Sequence, residues 1–409
     1  MLRRRLYLVA LLAAFALIVA ACGDDDDAGS TTAAPTTTAA PTTTEAPTTT
    51  AAPTTTAAPT TTEATTTTTL PPPPEGKEVL ACQVSDTGGI DDQSFNQTAW
   101  KGAEDAAAQL EGVTAEFLES QAATDFRPNI DSFIAEGCDV IITVGFLLEA
   151  DTAAAARDNP DQKFAIIDAA PNEFSWSDEN GNFDPAWYTN VRPITFQTDE
   201  ASFLAGYLAA GMTETGVVGT YGGINIPSVT IFMDGFVRGV DYYNEQKGTD
   251  VTVLGWSIDE QDGLFTGNFE SLDDGRTFAQ NLIDEGADII LPVAGPVGLG
   301  SAALCEETGA CSIIGVDADW YFTTPYGDIV MTSVMKLMDV AVFNTIQNVL
   351  VLDSIGNPFL GTLANEGVGL APYHDFDSAI PDELKAEVED LRSTIATTEG
   401  GLAGFLGGE

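Results

Sequence analysis

The stretch EVLACQVS at residues 78–85 decides the fold, because this short, largely apolar strand pattern leads directly into a helical one. A Gly-Gly loop follows, and residues 95–110 then carry Trp100, Ala103 and Ala107 on one helical stripe. An apolar strand joined to an amphipathic helix is the repeating unit of mostly parallel sheets with helices on both faces. The first segment of the globular region therefore predicts an α/β fold.

The same strand–helix unit recurs along the chain and restarts after Thr198. Further strands are predicted at residues 115–119, 140–144, 164–168, 217–221, 251–256, 289–293 and 312–316. Further helices are predicted at residues 126–136, 149–158, 200–212, 229–246, 275–285 and 332–352. Two α/β sets in tandem predict two doubly wound, parallel-sheet lobes that face each other across a cleft. Ligands of open α/β sheets bind at the carboxyl ends of strands, where this chain carries Asp86, Asp168, Gly295 and Asp317.

The N-terminus has the pattern of an export signal. Arginines at positions 3–5 precede an apolar run at residues 6–21, which is short for a membrane span and typical of a signal peptide. No later segment has the sequence pattern of a membrane-spanning helix. The run ends in Val19-Ala20-Ala21-Cys22, the small-residue pattern of a bacterial lipobox. Cleavage before Cys22 would free its thiol for lipid attachment and anchor the chain at the extracytoplasmic face of the cell membrane. The alternative is an ordinary cleaved signal followed by a chance cysteine.

Residues 22–76 have the composition of a spacer. Four aspartates at 24–27 precede repeats of Thr, Ala and Pro, which offer almost nothing bulky and apolar to bury. Regular prolines favour extended polyproline II of roughly 3.1 Å per residue. Both a spacer through cell-wall material, O-glycosylated on threonine, and a plain disordered tether agree with this composition.

The charge balance excludes some partners. The formal net charge is −47, and removal of a signal that carries three arginines and no acid leaves the mature chain more acidic still. Nucleic acid and anionic lipid headgroups need a basic surface, so this composition argues against both. The globular region of about 330 residues exceeds a usual single domain and suggests two.

Four cysteines remain in the globular region, an even set that in an exported protein fits two disulfides. Cys305 and Cys311 are close in sequence and could close a small loop, which leaves Cys82 and Cys138 as the other pair, although the sequence does not determine the pairing. No CxxC spacing occurs and His374 is the single histidine, so zinc sites and His-based catalytic triads are poorly supported. We expect no metal and no cofactor.

The loop after the first strand, SDTGGIDDQSFNQ at residues 85–97, brings carboxylates, a hydroxyl, an aromatic ring and an amide to one strand end. It matches neither a P-loop nor GxGxxG, and it has no lysine for phosphates. Acidic capping of the next helix by Asp92 and Ser94 explains part of it. Phe95 and Asn96 are harder to explain in this way, because both would lie near solvent without a ligand.

This loop and several later motifs resemble the basic membrane lipoprotein family, the substrate-binding lipoproteins of ABC transporters that include purine nucleoside receptors. The likeness begins with IDDQSFNQTAW at residues 90–100 and continues in the same order through SFLAGYLA at 202–209, FMDGF at 232–236, GADII at 286–290, AGPVG at 294–298 and GVDAD at 315–319. It covers most of the chain from residue 77 to about residue 402. The presence of several separate motifs in the same order argues against a chance resemblance.

The resemblance implies a type I periplasmic-binding-protein fold with a hinged cleft, with lobe 1 at about 77–198 plus part of 319–365, and lobe 2 at about 199–318 plus the C-terminal segment. It implies a nucleoside as ligand and an ABC permease as partner. It further implies that the base stacks between aromatic walls and that acidic, amide and lysine side chains hold the base edge and the ribose. The implied ligand contacts are Phe95 and Phe269 as walls, Asn96 and Asp168 on the base, Asp86, Asp317 and Lys336 on the ribose, and Gly295 at a close backbone approach.

Departures from the family pattern leave alternatives open. Ala318-Asp319-Trp320 stands where the family often has Asp-Gln, and an insertion-like stretch at 259–266 makes Phe265 a second candidate for the stacking wall. The loop at 173–188, with Trp176 and Trp187, is expected to reshape the pocket rim. Two of the implied contacts also have structural interpretations: Asp317 as a strand-end cap and Lys336 as a solvated helix residue.

The leading hypothesis is a receptor that captures a purine nucleoside and delivers it to an ABC permease, without catalysis. A receptor for a sugar or another small polar solute, and a surface sensor or adhesin without a transporter, are the alternatives. An enzyme is a different class of hypothesis: the acidic residues Asp86, Asp91 and Asp92 would permit Ca²⁺-assisted nucleoside hydrolysis.

Overall fold

The computed structural model describes residues 70–407. The predicted signal peptide, Cys22 and most of the predicted spacer lie outside these residues. The first part of the described chain comprises β1 (Val79–Val84), α1 (Phe95–Gln109), β2 (Val113–Leu118), α2 (Phe126–Glu136), β3 (Val140–Val144), α3 (Glu149–Asp158), β4 (Lys163–Ile167) and β5 (Val191–Phe196).

The middle part comprises α4 (Thr198–Met212), β6 (Val217–Gly222), α5 (Pro227–Lys247), β7 (Thr252–Leu254), β8 (Trp256–Ser257), β9 (Asp262–Gly263), α6 (Leu272–Asp284), β10 (Ile289–Val293), α7 (Val297–Thr308), β11 (Ser312–Asp317), α8 (Trp320–Thr323) and β12 (Val330–Lys336). The last part comprises α9 (Met338–Leu352), β13 (Phe359–Gly361), β14 (Val368–Leu370), α10 (Asp382–Thr397) and α11 (Gly401–Phe405).

Two six-stranded sheets have the same internal arrangement. The first has the order β13-β5-β4-β3-β1-β2, and the second has the order β14-β12-β11-β10-β6-β7. Neighbouring strands are parallel throughout, except for the antiparallel pair β12 and β14. Position by position, β1 therefore corresponds to β6, β3 to β10 and β4 to β11. The predicted α/β fold with two doubly wound, parallel-sheet lobes is confirmed.

The chain passes between the two sheets three times, at Gln197 after β5, at Leu337 after β12 and at Thr362 after β13. We call the first sheet with its helices lobe 1 (78–196 and 338–361) and the second sheet with its helices lobe 2 (198–336 and 363–407). The passages lie side by side, since the Gln197 N–H donates to the Gly361 carbonyl (2.8 Å) and the Leu337 N–H to the Gly367 carbonyl (3.0 Å). Three adjacent single-chain connections are suited to act as a hinge.

One predicted element is wrong. The helix predicted at 332–352 is a strand, β12, followed by the helix α9, and the chain changes lobes between them at Leu337. The run VMTSVMK in β12 is almost entirely buried, and a short apolar run cannot be assigned to a strand or a buried helix from periodicity alone. The elements additional to the predicted ones are the strands β5, β9, β13 and β14 and the helices α7, α8, α10 and α11.

Both predicted cysteine pairs are disulfides. Cys82 in β1 bonds Cys138 just before β3, with the two Cα atoms 6.1 Å apart, inside the helix-covered core of lobe 1. Cys305 near the end of α7 bonds Cys311 just before β11, with the Cα atoms 4.9 Å apart. Each bond therefore lies within one lobe and leaves the relative movement of the lobes unconstrained.

Candidate functional site

The carboxyl ends of the strands of both lobes line one cavity. The space between its walls is about 550 Å³ when the open solvent at its mouth is counted. Its walls contain all of the predicted ligand contacts: Asp86, Phe95, Asn96, Asp168, Phe269, Gly295, Asp317 and Lys336. Lobe 1 and lobe 2 each contribute four of these residues. The topology thus brings the whole predicted set together.

Two aspartates occupy corresponding positions in the two lobes. Asp168 directly follows β4 and Asp317 ends β11, and both have left-handed backbone conformations, with φ of 65° and 68°. A non-glycine residue is uncommon in that region, although Asp is among the residues that tolerate it. The turn of the chain at each strand end directs the two carboxylates towards the lysine between them.

Lys336, at the end of β12, lies between these aspartates and is only 3% exposed. Its Nζ atom is 2.7 Å from Asp168 Oδ2 in lobe 1 and 3.4 Å from Asp317 Oδ1 in lobe 2. Burial alone would lower the pKa of Lys336, but the two carboxylates outweigh it and hold that pKa above its ordinary value. Lys336 is therefore a buried cation that joins the lobes, and its interpretation as a solvated helix residue is wrong.

Aromatic rings surround the same ammonium group. Its nitrogen lies 5.0 Å from the ring centroids of both Phe95 and Phe232. At that separation a cation is attracted to the electron-rich face of a ring. The cavity therefore combines one cation, several carboxylates and apolar ring surface.

Asp86 follows β1 and is also buried. The backbone N–H of Thr87 donates to its Oδ1 atom at 2.7 Å. Burial is the largest influence and raises the pKa of Asp86 to about 7; the carboxylates of Glu270, Asp92 and Asp168 add to the rise. Gly145, at φ 110° after β3, allows this arrangement, because a Cβ there would collide with the Asp86 carboxylate.

Each lobe contributes one phenylalanine wall. Phe95 is the first residue of α1, and Phe269 lies in the loop before α6 with its ring packed on Gly223. Phe265, the other candidate, packs edge-on against Trp256 with the ring centroids 5.9 Å apart. Of the two candidates Phe269 is the one in the cavity wall.

The loop that was expected at the rim is partly a core element. Trp176 is fully buried against Tyr188, with ring centroids 4.9 Å apart, so the prediction that it shapes the pocket rim is wrong. Trp187 packs beside the same tyrosine. Trp176 and Tyr188 belong to the buried cluster that also contains apolar side chains of α3 and β4.

Polar groups at the start of α1 are used within the protein. Asp92 accepts hydrogen bonds from the backbone N–H groups of Ser94, Asn96 and Gln97, at 3.0, 2.8 and 3.0 Å, so its predicted capping role is confirmed. Burial raises the pKa of Asp92 to about 6, although these N–H groups oppose the rise. The Ser94 hydroxyl instead reaches lobe 2, where it lies 3.0 Å from the Val316 carbonyl oxygen.

The cavity also contains side chains that sequence reasoning missed. These come chiefly from the start of α5 and from the turn after β3: Ile226, Ser228, Val229, Phe232 and Phe146. Phe232 belongs to a motif that the family resemblance singled out, which was the available signal. The others carry no local mark of a site, because only the packing of α5 against lobe 2 turns its first residues towards the cavity.

Within residues 70–407 no group of three or more His, Cys, Asp or Glu side chains is placed to hold a metal ion. The carboxylate of Asp92, one of the acids in the hydrolase hypothesis, is occupied by N–H donors. The same described residues contain no helix with the length and apolar character needed to cross a membrane.

A family model described as "ABC transporter substrate-binding protein PnrA-like", named Bmp, matches residues 79–386. The chain belongs to the Bmp family. Bmp proteins bind a small-molecule ligand and work with an ABC transporter permease, so this chain is an ABC transporter substrate-binding protein.

Three known proteins illustrate the relationship. The "ABC transporter nucleoside-binding protein BmpA" of Lactococcus lactis is 27% identical over 259 residues, covering 61% of this chain and 66% of that protein. An uncharacterized lipoprotein of Pyrococcus abyssi is 29% identical over 314 residues, covering 74% and 70%. The crystal structure of an ABC transporter solute-binding protein from Aeropyrum pernix aligns with a TM-score of 0.67 and 26% identity, covering 78% of this chain and 91% of that one. Sequence and fold therefore lead to the same class of protein.

Proposed function

We propose that this Bmp protein is a lipid-anchored, extracytoplasmic receptor that captures a purine nucleoside between its lobes and delivers it to an ABC permease. The observation that carries the proposal is the cavity composition: two phenylalanine walls, one from each lobe, next to carboxylates and a buried lysine. A flat base fits between rings, and base–aromatic stacking contributes about 1–3 kcal/mol per base. A ribose fits beside carboxylates, since ionised Asp accepts hydrogen bonds from hydroxyl groups.

Some of the polar side chains would contact the base of the nucleoside, and the others would contact its ribose. Asp168 has one carboxylate oxygen on Lys336, which leaves the other for donors on a purine edge. Asp317 Oδ1 is buried and lies 3.4 Å from Lys336 Nζ without a hydrogen bond of good geometry among the described residues, so it can also accept a ribose hydroxyl. Asp86 and Lys336 complete the ribose contacts, and Gly295, at φ 52° with open space beside it, exposes its backbone to the ligand.

The charge of the cavity favours a neutral ligand over a phosphorylated one. Asp86, Asp92, Asp168 and Asp317 line it, and Lys336 is already paired with two of them. A phosphate group would enter next to these carboxylates, and among the described residues no further Lys or Arg lines the cavity to balance its charge, which costs energy in a partly desolvated site. We therefore expect nucleosides to bind and nucleotides to be rejected.

The relatives support the ligand and the anchor. The Lactococcus lactis protein is named for nucleoside binding, and the Pyrococcus abyssi protein is named a lipoprotein. In this chain the lipobox ending at Cys22 supplies the lipid site, and residues 22–76 supply the spacer. Closure of two lobes around a ligand, with the three connections as hinge, is the expected transport-competent change.

A binding panel tests the proposal. The mature chain is titrated by calorimetry and thermal shift with inosine, guanosine, adenosine, their free bases, inosine monophosphate, ribose and myo-inositol. We expect the purine nucleosides to bind most tightly and to raise the melting temperature most. Stabilisation by sugars without stabilisation by any nucleoside would overturn the nucleoside assignment, and release of free hypoxanthine from inosine would contradict a binding role without catalysis.

A further inference from the structure

The side chain of Asn96 makes its hydrogen bonds inside the protein. It is 1% exposed, and its Oδ1 atom accepts the backbone N–H of Asp86 at 3.0 Å. Its Nδ2 atom donates to the Thr87 carbonyl at 3.3 Å and to Asp92 Oδ2 at 3.2 Å. Both amide protons are therefore used, and a ligand could approach only the remaining lone pair of Oδ1.

Asp92 determines which way this amide points. Its carboxylate accepts three backbone N–H groups at the start of α1 and, in addition, the Asn96 side-chain N–H. A carboxylate accepts hydrogen bonds and cannot donate them when ionised, so it selects the Nδ2 side of the amide. The oxygen of Asn96 is thereby turned towards the end of β1.

The bonds of Asn96 bracket the Asp86–Thr87 segment. One holds the N–H that precedes the Asp86 side chain, and the other holds the carbonyl that follows it in Thr87. With both backbone groups held, the Asp86 carboxylate is kept in the cavity wall, next to Gly145, instead of swinging into solvent. Two flexible glycines follow the segment in the chain, and its other hydrogen bonds, from the Ser85 hydroxyl to the Asp86 carbonyl and from the Thr87 N–H to Asp86 Oδ1, are local.

We infer that Asn96, oriented by Asp92, is a positioning residue that holds Asp86 against the ribose of the bound nucleoside, and that it does not recognise the base. This inference deepens the proposed function and rests on it. It assigns to the polar residues at the start of α1 a role that neither helix capping nor direct ligand contact describes.

Ligands that lack parts of the nucleoside test the inference. Asn96→Ala should lower the affinity for inosine about tenfold or more. The Asp86 carboxylate is then no longer held in place, and its hydrogen bond to a ribose hydroxyl is lost. The affinity for hypoxanthine and for 2′,3′-dideoxyinosine should change less than about twofold. Equal losses for inosine and hypoxanthine would overturn the inference, since they would place Asn96 on the base.

A double-mutant cycle separates positioning from general damage. In an Asp86→Ala background, Asn96→Ala should add less than about twofold to the loss for inosine, because its effect passes through Asp86. Additive losses would contradict the inference. Asn190→Ala is a matched control, since Asn190 also donates to three carbonyls in lobe 1, of Ala156, Asn159 and Gln162. It should lower the melting temperature and leave the ratio of inosine to hypoxanthine affinity unchanged.

A ligand-free measurement makes the inference independent of the nucleoside assignment. Carbon-13 NMR titration of the Asp86 carboxyl in the empty protein should show its pKa moving towards the ordinary range in Asn96→Ala, because the released side chain reaches water. Asn96→Leu, which removes the amide group and keeps a similar shape without adding a charge, should do the same if the alanine variant fails to fold. An unchanged Asp86 pKa would overturn the inference, whereas failure of every nucleoside to bind would overturn the proposed function alone.

Discussion

At the scale of single residues, the carboxyl groups that line the cavity outnumber its cations. Lys336 is shared by Asp168 and Asp317, whereas Asp86 has no cation in direct contact among the described residues. Burial then makes the Asp86 carboxyl hold its proton up to a pKa of about 7. A carboxyl group with this pKa changes charge near neutral pH, and a ligand that contacts it would bind in a pH-dependent way.

We predict opposite effects of pH on stability and on nucleoside affinity. The folded-state pKa of Asp86 is raised above its unfolded value, so its contribution to stability is present at low pH and is lost as the pH rises through about 7. The ribose needs the ionised carboxylate, so affinity should fall, by up to about tenfold per pH unit, as the pH drops below about 7. Calorimetry and melting curves between about pH 8 and pH 6 measure both.

Asp86→Asn is the control for this prediction, because it removes the titrating group and keeps its shape. It should remove most of the pH dependence of both quantities above about pH 6, where the neighbouring Asp92 begins to titrate. A wild-type affinity that stays constant over the same interval would show that Asp86 does not contact the ligand as a carboxylate.

The two phenylalanine candidates give a second prediction at this scale. Phe269→Ala should weaken nucleoside binding by about 1–3 kcal/mol through lost stacking. Phe265→Ala should lower the melting temperature, because its ring packs on Trp256, but should change the affinity less than about twofold. Calorimetry of both variants decides between them, and a larger affinity loss for Phe265→Ala would make Phe265 the wall.

At the scale of secondary-structure elements, the start of α1 serves both lobes. Its residues belong to lobe 1, yet the Ser94 hydroxyl lies 3.0 Å from the Val316 carbonyl oxygen and 3.3 Å from Asp317 Oδ2, both in β11 of lobe 2. Together with the Lys336–Asp168 pair, this contact joins the lobes without a ligand. The arrangement of the lobes in this structure is thus stabilised in part by contacts within the protein itself.

We predict that Ser94→Ala shifts the empty protein towards an open arrangement. A buried hydrogen bond contributes about 0.5–1.5 kcal/mol, and a smaller closed population lowers the apparent affinity in proportion. The nucleoside affinity should fall roughly 2- to 10-fold, and the radius of gyration of the empty protein, measured by small-angle scattering, should increase.

Thr98→Ala is the matched control for Ser94→Ala. The Thr98 hydroxyl donates to the Ser94 carbonyl within α1 and makes no contact with lobe 2 among its hydrogen bonds. Its removal should leave both the affinity and the radius of gyration unchanged. Equal effects of the two substitutions would show that the helix, rather than the contact between lobes, is responsible.

At the scale of the whole molecule, the two lobes are joined by hinge connections and each disulfide stays within one lobe. The structure therefore combines rigid lobes with freedom between them, as a receptor that closes on its ligand requires. Residues 1–76 add the proposed means of keeping that receptor near its permease: export, a lipid and a spacer.

We predict that Cys22→Ser releases the protein from the membrane. Each buried CH₂ group of a lipid contributes about 0.8 kcal/mol to membrane binding, so loss of the acylated thiol removes the anchor. Immunoblots of membrane pellet and culture medium should show most of the variant in the medium, while Ser30→Ala stays in the pellet. A Cys22→Ser protein that remained in the pellet would contradict the lipid anchor.

The sequence by itself determined the α/β class, many of the strands and helices, and eight of the residues that line the cavity. Strand ends such as those at Asp86, Asp168 and Asp317 are visible locally, because apolar runs of strand length end there in a polar residue. The family resemblance then implied Phe269 and Lys336 as ligand contacts, although no local pattern marks either residue.

Only the tertiary structure decided how these residues are used. The apolar neighbours of Lys336 predicted a helix there. In the structure Lys336 is the buried last residue of β12, directly before the chain passes to the other lobe. The choice of Phe269 over Phe265, the burial of Trp176 and the occupied amide of Asn96 depend on contacts with residues remote in the chain or across a loop. Local patterns report whether a side chain is apolar or polar, whereas hydrogen-bond partners and burial arise only when distant segments pack together.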